Sequence, residues 1–99
     1  MIVYSISWSI EAEQTFNQNI EYLAKEWSNK VLNQFLDRVD EVLQKIENNP
    51  FLYPPHHSSI SIRKCVINQR IVLYYRVDKT FITLVSFWNT YKNPDKLNF

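Results

Sequence analysis

Residues 70–77 read Arg70-Ile71-Val72-Leu73-Tyr74-Tyr75-Arg76-Val77. In an extended chain successive side chains point to opposite faces. Ile71, Leu73, Tyr75 and Val77 therefore share one face, and Arg70, Val72, Tyr74 and Arg76 share the other. The first set is a natural core face. The second is half cationic and is expected to be partly exposed. A sheet built on such a strand is covered on one side and open on the other.

Two further strand-like runs flank this one. Residues 60–67 precede it across Asn68-Gln69, and residues 81–88 follow a turn at Asp78-Lys79-Thr80. Connections this short make the three an antiparallel meander. Upstream, residues 51–59 read as a loop stiffened by Pro54-Pro55 ahead of His56-His57. Before the loop, Val31, Leu32, Phe35, Leu36, Val39, Val42, Leu43 and Ile46 form a broad apolar stripe at helical spacing, capped by Ser28 and stopped at Pro50. Ala12, Phe16, Ile20, Leu23 and Trp27 form a narrower stripe after Ser9, with Glu11 and Glu13 favoured by the helix dipole. The short joint at Ser28 folds the two helices into an antiparallel hairpin. Residues 2–8 alternate as a first strand, with Ile2, Tyr4, Ile6 and Trp8 on one side. The order strand, helix, helix, three strands predicts an α+β fold, its helix hairpin packed on one face of the sheet.

At 99 residues the chain forms one domain spanning 1–99, and 15% aromatic content suggests a core of a few large side chains. The single cysteine, Cys65, rules out an internal disulfide and gives no sign of an oxidising compartment. No apolar run approaches the roughly 20 residues of a membrane span, and no secretory pattern opens the chain, so a cytoplasmic location is expected. There is no glycine. Glycine-rich phosphate loops are thereby excluded, and Asn68, Asn89 and Asn93 are the residues placed to adopt positive φ. The net charge of +1 conceals an asymmetry. Residues 1–59 hold 4 basic and 8 acidic side chains, a balance of −4, whereas residues 60–99 hold 7 and 2, a balance of +5. A basic C-terminal half points to a polyanionic or acidic partner.

With Trp8-Ser9-Ile10-Glu11-Ala12-Glu13 entering the first helix, Asn49-Pro50 closing the second, Ile62-Arg63, the run Ile71–Val77 and Phe87-Trp88-Asn89-Thr90-Tyr91-Lys92-Asn93-Pro94 in this order, nearly the whole chain resembles the RelE/ParE toxins of bacterial type II toxin–antitoxin pairs. The resemblance implies a toxin held inactive by a cognate antitoxin protein. In the RelE branch such toxins cleave messenger RNA on the ribosome through cations and a Tyr or His on the open sheet face and C-terminal segment. In the ParE branch they inhibit DNA gyrase by binding. Val72 stands where the RelE branch carries an arginine, and Asn89 and Tyr91 stand where Asp and Arg are common. A ribosome-dependent, metal-independent endoribonuclease is the leading expectation. A gyrase inhibitor and a non-toxic interaction module are the alternatives.

RNA cleavage through the 2′-hydroxyl needs a proton acceptor, a cation for the developing phosphate charge and a proton donor for the leaving oxygen. Arg63, Arg70, Arg76 and Tyr91 are the catalytic candidates. Arg63, Arg70, Tyr74, Arg76, Lys92 and Lys96 are candidates for contact with nucleic acid or a protein partner. Arg63 shares a face with Cys65, while Lys64 falls with Ile62 and Val66. Those two aliphatic residues favour the core, so Arg63 is expected on the open face. His56 and His57 are the only side chains that titrate near neutrality unperturbed. No cofactor or metal is implied.

Overall fold

The computed structural model describes residues 2–56 and 59–91, with backbone alone at 59 and 60. The elements are β1 (Ser5–Trp8), α1 (Ile10–Glu26), α2 (Asn29–Asn48), β2 (Pro55–His56), β3 (Ser59–Val66), β4 (Ile71–Asp78) and β5 (Phe81–Asn89). They form one five-stranded sheet in the order β1-β5-β4-β3-β2. The β3–β4–β5 meander is antiparallel, and β1 joins β5 in parallel. Both helices cover one face, giving the expected α+β layering. Among the described residues no helix is long and apolar enough to cross a membrane.

Each helix starts where a serine hydroxyl accepts a backbone N–H of the first turn: Ala12 N–H to Ser9 Oγ at 3.0 Å and Val31 N–H to Ser28 Oγ at 3.2 Å. The α1 stripe puts Ala12 and Leu23 into the core, and the α2 stripe puts Phe35, Val39, Val42 and Ile46 there. Four rings cement helices to sheet. Trp8 lies 5.1 Å from Phe16 and 5.4 Å from Phe87, and Phe16 lies 5.8 Å from Phe35, centroid to centroid. These few aromatics span the helix layer, β1 and β5, as the composition suggested.

Three local expectations change. Residues 51–59 are not wholly loop, because Pro55 and His56 pair with β3 at the sheet edge. Pro55 has no N–H to donate, which an edge strand tolerates, and the Lys64 N–H bonds instead to the Pro54 carbonyl at 3.1 Å. The first strand is shorter than 2–8. Its partner begins at Phe81, opposite Ser5, so Ile2 and Val3 lie beyond the ladder and are exposed. Positive φ falls on Lys79 (56°), the first of the two residues joining Asp78 to Phe81, rather than on Asn68 or Asn89. Asn68 shapes its turn with its side chain, Oδ1 accepting the Arg70 and Ile71 N–H groups at 2.8 and 2.9 Å. Asn93 lies outside the described residues.

The ladder between β4 and β5 carries an irregularity. Tyr74 pairs with Ser86 and Tyr75 with Leu84, leaving Val85 as an extra residue in β5. Before it, Ile82 and Leu84 face the helices; after it, Phe87 and Asn89 do. The β1 partner ends at this same point, opposite Leu84. Beyond it, α1 side chains take over the free edge of β5. Ser9 Oγ donates to the Val85 carbonyl at 3.0 Å, Thr15 Oγ1 accepts the Phe87 N–H at 3.0 Å, and Asn19 Nδ2 donates to the Phe87 carbonyl at 2.9 Å. Asn19 Oδ1 also accepts from Asn89 Nδ2 at 3.0 Å. Asn19 is 2% exposed and Asn89 3% exposed, so water cannot substitute for these bonds.

Two stability measurements follow. Asn19→Ala removes the buried hydrogen bonds to the Phe87 carbonyl and from the Asn89 amide, and chemical denaturation should show a loss of about 1–3 kcal/mol. Burial pushes the Tyr75 phenol from 10.0 up to about 12, its hydroxyl donating to the Pro50 carbonyl at 2.7 Å. A raised folded pKa keeps its stabilisation below the unfolded value and loses it as pH climbs toward the folded value. Wild-type stability should therefore fall between pH 10 and 12, and Tyr75→Phe should make that fall shallower.

Candidate nucleic-acid interface

Opposite the helices, the open face is read from the register of β3, β4 and β5. Across it run Val66–Val72–Trp88, Lys64–Tyr74–Ser86 and Ile62–Arg76–Thr83. Lys64 and Arg76 are exposed, Tyr74 is 7% exposed, and Val66 is 54% exposed. The His56 ring, itself 7% exposed, packs edge-on against Tyr74 at 5.4 Å. Burial pushes the Tyr74 phenol above its ordinary pKa. Tyr74, expected to be partly exposed, is thus largely covered. Ser86 Oγ is buried with no hydrogen-bond partner among the described residues.

Arg63 is not on this face. It pairs with Tyr75, and Cys65 pairs with Leu73, so both lie on the helix side. The Arg63 Nη1 donates to the Tyr53 carbonyl at 2.7 Å, and its guanidinium sits 4.9 Å above the Phe51 ring. This is the rim where α2 has ended and residues 49–54 supply a carbonyl and a ring in its place. The missed signal was Cys65, on Arg63's own face and 1% exposed, since free cysteine is among the most buried residue types. Ile62 is indeed buried, at 4% exposure, but against the open face. Lys64, which the aliphatic pattern put on the core side, is the exposed β3 cation of the open face.

Nor are Arg70 and Tyr91 beside Arg76. Arg70 leads into β4 at its start, six residues from Arg76, or about 20 Å along a strand. Its guanidinium stacks 3.6 Å above the Trp27 ring and 5.6 Å from the Tyr91 ring, where the helix joint meets the end of β5. Thr90 N–H bonds to the Arg70 carbonyl at 2.7 Å, tying the two ends together. The described catalytic candidates thus occupy three places: Arg63 on the helix-side rim, Arg70 with Tyr91 at one end, and Arg76 toward the other. Lys92, Lys96 and His57 lie outside the described residues. Cys65 offers no thiolate, because burial pushes its pKa up. Among the described residues, no three His, Cys, Asp or Glu side chains are grouped to hold a metal ion.

The sequence profile of the ParE toxin of the type II toxin–antitoxin system parDE matches residues 6–94. The chain belongs to that family. This ParE-family toxin also shares its fold with several solved toxins. The toxin of the chromosomal ParDE system of P. aeruginosa superposes with TM-score 0.69 at 10% identity, over 88% of this chain and 96% of that one. A chain of the E. coli DinJ–YafQ toxin–antitoxin complex gives 0.66 at 11% identity, over 92% and 97%. YoeB from a dimer of Staphylococcus aureus gives 0.59 at 20% identity, over 86% and 94%. Comparison with curated protein sequences returns no match.

The placement of Arg63 in this ParE-family chain has a measurable consequence. Arg63→Ala removes a charged hydrogen bond and a cation–π contact, so it should lower unfolding stability by about 1–3 kcal/mol in denaturant titration.

Proposed function

We propose that a cognate antitoxin neutralises this toxin by covering the open face, and that the free toxin cleaves messenger RNA on the ribosome without a metal. The observation supporting this reading is the grouping of His56, Lys64 and Tyr74 on that face, with Arg76 exposed on the same side. These are the side-chain types the reaction requires. His56 accepts the 2′-hydroxyl proton, Lys64 and Arg76 balance the developing phosphate charge, and Tyr74 orients the imidazole and donates toward the leaving oxygen. His56 and Tyr74 are largely covered, but His56 is carried by a two-residue strand at the sheet edge. Short edge elements open at low cost, so the ribosome-bound message gains access there. The same face presents Val66 and Val72 beside Lys64, a mixture that suits an antitoxin segment both apolar and acidic.

A second reading, inhibition of DNA gyrase by binding alone, is favoured by the ParE family match and by the cover over His56 and Tyr74. It needs no acid–base set. One pair of assays separates the two: messenger RNA incubated with translating ribosomes, and gyrase supercoiling, each with purified toxin. Cleaved message with unchanged supercoiling is the expected result; intact message with blocked supercoiling would replace it with the gyrase reading. Normal growth on induction without antitoxin would leave only a non-toxic binding module. For the nuclease, Lys64→Ala and Arg76→Ala should each lower the cleavage rate by about 10²-fold. Arg63→Ala, assayed at equal folded concentration, should leave the rate within about threefold, as expected for a side chain off the reacting face.

A further inference from the structure

On the helix side, α2 and the turn between β3 and β4 border a half-open cleft of about 460 Å³. Val31, Phe35 and Ile67 give it an apolar floor, and two arginines, Arg38 and Arg70, also line it. The amide side chains of Gln34, Asn68 and Gln69 also line it, and among the described residues no carboxylate does. The cleft lies on the opposite side of the sheet from Lys64 and Arg76, so its occupancy is independent of the cleavage reading.

The charges here are only partly offset. Arg38 is held by the Ile67 carbonyl at 3.3 Å and meets Glu41 at 3.1 Å, but Glu41 also binds Lys45 at 3.0 Å. One exposed carboxylate thus serves two cations. Among the described residues Arg70 has no ion-pair partner, and its buried Nε has no hydrogen bond. What positions it is stacking on Trp27 at 3.6 Å. That contact orients the fork without neutralising it, and no carboxylate among the described residues offsets the charge, the condition that favours an anion. The volume exceeds what a bare phosphate needs and falls in the range of small-molecule sites. An apolar floor and amides suit a nucleobase, and next to the cleft the exposed rings of Trp27 and Tyr91, neighbours of Arg70, offer stacking faces.

We infer that this cleft binds a nucleoside phosphate, its phosphate on Arg38 and Arg70 and its base against the apolar floor or the Trp27 and Tyr91 rings. The source is either a free nucleotide or an unpaired nucleotide within a strand, and the chemistry is shared.

The test uses the full-length toxin and two-dimensional NMR, titrating separately with the four nucleoside 5′-monophosphates, a hexaribonucleotide, inorganic phosphate and a hexaglutamate peptide. Saturable shifts are expected at the Trp27 indole, the Arg38 and Arg70 side chains and the residue 67–70 backbone, with at least one monophosphate binding more tightly than inorganic phosphate. Tighter binding of the hexamer identifies a strand as the source; equal binding identifies the free nucleotide. Arg70→Gln and Arg38→Gln should each weaken binding about tenfold, the value of a charged hydrogen bond. The wild-type shift map needs neither variant, so a variant that fails to fold does not remove the test. The inference is overturned by an absence of saturable shifts, by shifts confined to the open face, by inorganic phosphate binding as tightly as every nucleotide, or by hexaglutamate outcompeting them at the same residues.

Discussion

The outer edge of β5 is the constraint on which this fold depends. β5 runs past the end of its parallel neighbour β1, and bare strand edges are liabilities for pairing with other chains. Here α1 covers the edge with side chains. Ser9 bonds to the Val85 carbonyl, Thr15 to the Phe87 N–H and Asn19 to the Phe87 carbonyl. A helix thereby docks on the sheet through directional bonds as well as apolar packing. This fixes the rotation of α1 more tightly than its narrow stripe could. It also explains a buried asparagine in mid-helix, where the residue type has no intrinsic advantage. The contact between Asn19 and Asn89 extends the lock to the last residue of β5, just before the C-terminal segment begins.

The extra residue at Val85 belongs to the same arrangement. A strand that alternated without interruption would put Ile82, Leu84, Ser86 and Trp88 on one face. The added residue turns Phe87 and Asn89 inward instead, so Phe87 joins the aromatic contacts with Trp8 and Phe16. Trp88 is thereby left on the open face across from Val72. One residue thus converts a continuous strand into two halves that serve the same core. It falls where β1 stops and α1 starts, the place where the partner along that edge changes from backbone to side chains.

The cations divide between two sides of the sheet. Lys64 and Arg76 mark the open face, where His56 and Tyr74 meet. Arg38 and Arg70 mark the helix-side cleft, while Arg63 is engaged by a backbone carbonyl and a phenyl ring. The net charge of +1 describes neither surface. A basic C-terminal half is a property of the sequence; a basic face requires knowing which way each strand turns.

By itself the sequence determined the elements and their layering. Serine caps, helical stripes, the proline stop and short turns act between residues close in the chain, and period-two alternation made residues 71–77 one-sided. The apolar set Ile71, Leu73 and Tyr75 went inside as that alternation required, because burying it is the largest favourable contribution available to the strand. The tertiary structure decided what depends on partners distant in sequence. It added the proline-containing edge strand, because pairing with β3 is a long-range event. It shifted the face of β5, because an extra residue is visible only against its partner strand. It sent Arg63 to the helix side and Lys64 to the open side. Two aliphatic neighbours suggested the reverse, but register with β4 sets the phase of the entire strand, and Cys65 beneath the helices outweighed the apolar preference of Val66. Candidate residues were therefore legible by type and only partly by place, since chemistry belongs to the side chain and position belongs to the register.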